Sequence, residues 1–140
     1  MNHCVGKDPA TQVSNMLNAI PGDLYNMVWV SVSPNYSPGC GWTINTPQKN
    51  CDYLRAVVGA VTSAGKKVGI FSSISFWQQV FQSSSFCYQL GNLPLWYGSY
   101  DGNKSFYDFR AFGGWVSPVK KTFESQYPMC GTSVNLNWSP

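Results

Sequence analysis

Four consecutive apolar residues, Met27-Val28-Trp29-Val30, sit between two well-marked helical segments and restrict this chain more than any other feature. A strand that is apolar on successive positions is buried on both faces, as in a parallel sheet covered by crossover helices. The flanking helices are legible. Asp8 is placed to cap the first, Pro9 suits its opening turn, and Val13, Met16, Leu17 and Ile20 recur at helical spacing. Pro21-Gly22-Asp23 ends it. The second opens at Thr46-Pro47, carries Tyr53, Leu54, Val57, Val58 and Val61 on one face, and stops at Gly65.

Beyond it, Lys67 to Phe71 predicts a short strand, and a third helix follows with Phe76, Trp77, Val80 and Phe81 inward. Leu93 to Gly98 predicts another strand, 101–118 is irregular and aromatic, and Lys120 to Ser125 and Ser133 to Asn137 predict two closing strands. This order implies an α/β fold with parallel strands and crossover helices, in one domain over 1–140. Chemistry in such folds sits at the carboxyl ends of the strands. Those ends are Ser31 to Pro34, Phe71 to Ser73, Gly98 to Asp101, and the region of Asn135.

Charge and cysteine usage narrow the function classes. Only 11% of residues are charged, and the basic ones are scattered around a net charge of +3. No stripe follows a phosphate backbone, so a nucleic-acid partner is not expected. No apolar run is long enough for a membrane span, and no signal peptide is visible at the start. One histidine, His3, in an amino terminus expected to be mobile, cannot complete a Ser-His-Asp or Cys-His site or a zinc site. Gly113-Gly114 lacks the spacing of a phosphate loop, and no cofactor is expected.

Low charge and abundant aromatics point to a secreted or luminal protein with disulfides. Cys40–Cys51, closing a short loop, and Cys87–Cys130 are the preferred pairs, leaving Cys4 over; free thiols in a reducing compartment are the alternative. Asn35-Tyr36-Ser37 and Asn103-Lys104-Ser105 match the glycan acceptor pattern.

Several segments resemble glycoside hydrolase family 25, the lysozymes with a modified α/β barrel. They are Val68-Gly69-Ile70-Phe71-Ser72-Ser73, Leu95-Trp96-Tyr97-Gly98-Ser99-Tyr100-Asp101, Phe106 to Trp115 with its Gly113-Gly114, and Cys130 to Trp138. The resemblance is closest to the eukaryotic branch and runs in order along nearly the whole chain. It implies a partial (βα) barrel, corresponding to the C-terminal two thirds of the family's barrel and lacking its opening strands. It also implies that the family's Asp-x-Glu strand end is matched by Ser31 and Ser33, and its late aspartate by Asn135.

Glycoside hydrolysis needs one carboxylic acid to protonate the leaving oxygen and a second group to stabilise or attack the sugar centre. Serine is too weak an acid for the first role and uncharged for the second. Of the six acids, only Asp101 falls just past a strand's carboxyl end, where it can equally cap the loop beside Gly102. The expectation is therefore a catalytically inactive, lysozyme-like domain kept for binding or as a structural subunit. The alternative is an active peptidoglycan hydrolase using Asp101 or acids from a partner chain. Tyr36, Tyr97, Tyr100 and Trp138 are the candidate rings for a peptidoglycan or chitin-like glycan, with Trp29, Trp77, Trp96 and Trp115 expected in the core. An open strand edge near 27–33 calls for a protein partner, a second copy or an upstream piece of the same precursor to cover it.

Overall fold

A computed structural model describes His3, Cys4 and residues 6–140. Ten elements follow in order. They are helix α1 (Pro9–Asn18), strand β1 (Met27–Ser31), a 3-10 turn (Trp42–Ile44), α2 (Pro47–Ser63), β2 (Lys67–Ser72), α3 (Ile74–Phe81), a second 3-10 turn (Tyr88–Leu90), β3 (Leu95–Gly98), β4 (Lys120–Met129) and β5 (Thr132–Trp138). The expected caps are in place. The Asp8 side chain accepts from the Thr11 N–H, and the Thr46 side chain from the Lys49 N–H. Ser73 caps α3 through the Phe76 N–H. The closing strands are longer than their sequence pattern suggests, because β4 and β5 continue outward as a solvent-exposed hairpin.

The strands form one mixed sheet in the order β1-β2-β3-β4-β5. The first four are parallel and β5 returns antiparallel to β4. The alternation of strands and helices thus produces the expected α/β architecture, an open half-barrel. Among the described residues two strands have one free edge each: β1 pairs only with β2, and β5 only with β4.

Strand periodicity divides the sheet into two unlike faces. Val30, Val32, Ile70 and Leu95 point to the helices and are buried with Leu54, Val57 and Val61 of α2 and Trp77 of α3. Each such side chain contributes roughly 1.5–3 kcal/mol on burial. The opposite face carries Met27, Trp29, Phe71 and Trp96, all only half-buried. The expectation that Met27 to Val30 is buried on both faces therefore needs correction. The helices cover one face only, and β1 ends the sheet. For the same reason Trp29 and Trp96 are not core residues, whereas Trp77 and Trp115 are buried as expected.

The disulfides also differ from the expected pairs. Cys4 bonds Cys40 and Cys51 bonds Cys87, while Cys130 is free and exposed. Sequence proximity favoured Cys40–Cys51, but α2 turns Cys51 into the core toward Cys87, where both are nearly inaccessible. Cys40 instead meets Cys4 through a short antiparallel bridge. Cys130 lies at the tip of the β4–β5 hairpin, where it and Gly131 take the positive φ values of a two-residue turn. Cys87 is already bonded to Cys51. His3 is held rather than mobile: its ring stacks on Tyr53 at 4.1 Å and its Nδ1 lies 3.1 Å from Asn50 Oδ1.

Candidate functional site

The half-buried sheet face contains a pocket of about 270 Å³ lined by Trp29, Ser31, Phe71, Trp96, Thr122, Asn135 and Asn137. Each is placed by strand register. Trp29 and Ser31 are two apart on β1, so they share a face. Trp29 pairs with Gly69 across β1–β2, and a Cβ at Gly69 would fall 2.4 Å from the Trp29 ring. Glycine there lets the indole lie across β2. Trp96 then meets Trp29 edge-on at 5.6 Å and Phe71 edge-on at 5.4 Å. The aromatic floor is thus built by three consecutive parallel strands.

The polar wall comes from the hairpin. Trp96 Nε1–H donates to Thr122 Oγ1 at 2.9 Å, and the Thr122 hydroxyl donates to Asn137 Oδ1 at 2.8 Å. Asn137 Nδ2 reaches the Asn135 carbonyl at 3.4 Å. Ser31 Oγ lies 3.5 Å from Ser33 Oγ at the carboxyl end of β1. Every polar group lining the pocket is a neutral hydroxyl, amide or indole. One cation is near: Lys120 Nζ sits 4.2 Å from the centre of the Trp96 ring. Such a surface can stack a flat apolar face and hydrogen-bond hydroxyls. It holds no group that donates a proton readily at neutral pH.

Asp101 is elsewhere and otherwise engaged. Lys121 is fully buried on the helix-facing side of β4, and its Nζ contacts Asp101 Oδ1 at 2.8 Å, Asp108 Oδ1 at 2.9 Å and the Ser105 carbonyl at 3.0 Å. Burial pushes the Asp101 carboxyl up. The hydrogen bonds from Lys121 and the Asn103 N–H, with the charge of Lys121, outweigh this and hold it below the usual carboxylate range. Asp108 behaves likewise, its burial offset by hydrogen bonds from Ser99, Lys121 and Tyr97. For Lys121 burial works downward, but the two carboxylates raise its ammonium above the ordinary value. This cluster ties the loop after β3 to β4. An acid kept ionised by a direct ammonium contact is a poor proton donor.

The four rings expected to bind sugar do not line the pocket. Tyr97 faces the helices, is buried, and donates its hydroxyl to Asp108 at 3.0 Å. Trp138 packs on Phe106 at 5.0 Å. Tyr36 and Tyr100 are exposed on loops. Ser31 and Asn135 do line it, with Ser33 beside Ser31. Trp29, Phe71, Trp96, Thr122 and Asn137 are additional. Their signal in the sequence is period 2: Trp29 precedes Ser31 by two residues, and Asn137 follows Asn135 by two. Among the described residues there is no grouping of three or more His, Cys, Asp and Glu able to hold a metal ion. No helix of the described residues is long and apolar enough to cross a membrane.

Comparisons with known proteins now bear on this geometry. The family model described as Lysozyme-like protein 1 matches residues 1–123. "Probable GH family 25 lysozyme 3" of Dictyostelium discoideum is 35% identical over 99% of this chain and 28% of its own length. "Counting factor 50" of the same organism is 34% identical over 98% of this chain and 44% of its own. Among solved structures, the muramidase from Acremonium alcalophilum superposes with a TM-score of 0.72 at 14% identity, covering 99% of this chain and 64% of that one. The chain thus spans less than two thirds of each of these proteins. The mixed half-barrel of this chain resembles the part of that muramidase's fold on which it superposes. On the strength of the family match over residues 1–123, the chain belongs to the lysozyme-like proteins of glycoside hydrolase family 25.

Proposed function

We propose that this chain binds a neutral glycan in the Trp29–Trp96 pocket without hydrolysing it. The observation that carries this reading is the pocket's composition: an aromatic floor and a hydroxyl-and-amide wall with no carboxylate. The family resemblance puts its acids at the positions of Ser31, Ser33 and Asn135, and general acid help alone is worth roughly a hundred- to ten-thousand-fold in rate. Asp101, the acid the alternative active reading relies on, is committed to Lys121. Loss of hydrolysis with retention of the groove leaves binding or assembly as the role. Relatives of similar identity carry names of both kinds, a lysozyme and a counting factor.

The free edge of β1 supports a second element of the proposal, a partner chain or second copy alongside Met27–Ser31. An unpaired strand edge next to a half-exposed aromatic face is costly to leave open to water. Two disulfides support a secreted or luminal setting.

The test is titration with chitin and peptidoglycan oligosaccharides under Trp fluorescence, beside a cell-wall clearance assay. The expected result is saturable quenching with no clearance. Clearance that disappears in Asp101→Asn would establish the active reading instead, and no quenching by any glycan would remove the binding role. Light scattering tests the partner: a stable, sharply melting monomer counts against it.

A further inference from the structure

Three triplets match the acceptor pattern for N-linked glycans: Asn35-Tyr36-Ser37, Asn103-Lys104-Ser105 and Asn137-Trp138-Ser139. Their surroundings separate them. Asn35 is half-buried, its Oδ1 accepts the Ser37 N–H at 2.9 Å, and its carbonyl lies against Gly41. Asn137 is in β5, its Oδ1 accepts from Thr122, and it lines the pocket, which a glycan there would fill. Asn103 is exposed and lies in the long irregular loop between β3 and β4.

The hydrogen bonds of Asn103 tolerate substitution. Its Nδ2 donates to the Asp101 carbonyl at 3.0 Å and to the Tyr107 hydroxyl at 3.4 Å. A glycosylated side-chain amide keeps one N–H, so the shorter bond survives and the longer one is given up. Tyr107 is 72% exposed and offers a ring beside the attachment point.

Ser105 supplies an independent argument. Its Oγ is buried with no hydrogen-bond partner among the described residues. Only its carbonyl is used, accepting from Lys121. A buried hydroxyl with no partner is disfavoured, and alanine would serve the folded state as well. The hydroxyl has a use before folding, when the chain is extended and the transferase requires Ser or Thr two residues after the acceptor Asn.

We propose that Asn103 is the N-glycan acceptor of this chain, and that Asn35 and Asn137 stay unmodified. The donor is an oligosaccharide on a polyprenyl diphosphate. Asn103 Nδ2 forms a bond to the anomeric carbon, the bond from that carbon to the diphosphate oxygen breaks, the diphosphate leaves with the electron pair, and the amide loses one proton. The inference rests on the secreted or luminal reading.

The test imposes that compartment. The full chain is expressed in insect cells behind a secretion leader, and its intact mass is compared before and after peptide-N-glycosidase. The wild type is expected to lose one glycan. The loss persists in Asn35→Gln and Asn137→Gln and vanishes in both Asn103→Gln and Ser105→Ala. Ser105→Ala leaves the Asn103 bonds untouched, so its secretion and thermal melting should match the wild type. An unglycosylated wild type, or a mass loss that survives in Asn103→Gln or Ser105→Ala, overturns the assignment. Because the leader fixes the route, such a failure bears on the acceptor site and not on where the native chain resides.

Discussion

Replacing Lys121 by Met removes the one cation that holds two carboxylates together. The Lys121 side chain is inaccessible, and the side chains of Asp101 and Asp108 are only 25% and 20% exposed. Breaking a fully buried ion pair by deleting one partner costs about 3–5 kcal/mol. Here both carboxylates reach some water, so the cost is discounted to about 2–3 kcal/mol. Methionine keeps most of the packing volume, which isolates the charge. At roughly 2–4 °C per kcal/mol for a chain near this size, the melting temperature at pH 7 should fall by about 4–12 °C.

The pH dependence gives the sharper check. In the wild type both aspartates are held below their ordinary values, so their contribution is present above the unfolded carboxylate range and is lost as pH falls through the folded values. The raised Lys121 ammonium contributes fully below its unfolded value and is lost only as pH rises past it. Without Lys121, burial and mutual repulsion push the carboxyls upward, and protonation then favours the folded variant. The gap between wild type and Lys121→Met should therefore narrow steadily from pH 7 to pH 3. Thermal melts by circular dichroism at five pH values measure it. A gap of the same size at every pH, or a melting temperature unchanged at pH 7, would refute the electrostatic account of this cluster.

Trp96→Ala should weaken chitin-oligosaccharide binding at least about tenfold, a loss of about 1.4 kcal/mol, while Tyr36→Ala should leave it unchanged; fluorescence titration or calorimetry distinguishes them. Gly69→Val drives a side chain into the Trp29 ring, so it should abolish binding and lower the melting temperature together, and unaltered binding would contradict the pocket's construction. Replacing Cys51 and Cys87 by Ala opens a link of sequence separation 36, worth about 4 kcal/mol by chain entropy; a melting temperature within a degree of wild type would show that the link adds nothing. Peptide mapping under non-reducing conditions should recover Cys4–Cys40 and Cys51–Cys87, with Cys130 open to alkylation.

Local signals carried the helices and most strands. Asp8 before Pro9 and Thr46 before Pro47 are cap chemistry that acts within four residues, so no distant contact was needed to read them. The run Met27 to Val30 marked a strand for the same reason. It also placed Ser31 at a strand's carboxyl end, and β1 does end there. What a strand faces is not local. Whether Trp29 and Trp96 are core or pocket depends on which side of the sheet α2 and α3 cover, and two neighbouring strands decide that. The disulfides follow the same rule: Cys51 reaches Cys87 because α2 packs near α3, although Cys40 is closer along the chain. The partners of Asp101 were equally out of reach, since Lys121 lies twenty residues on and meets it only through the β3–β4 pairing. The sequence by itself determined the elements, the family and the character of the residues at the strand ends. Only the tertiary structure decided which of them meet, because meeting depends on packing between segments whose order along the chain says little about their distance.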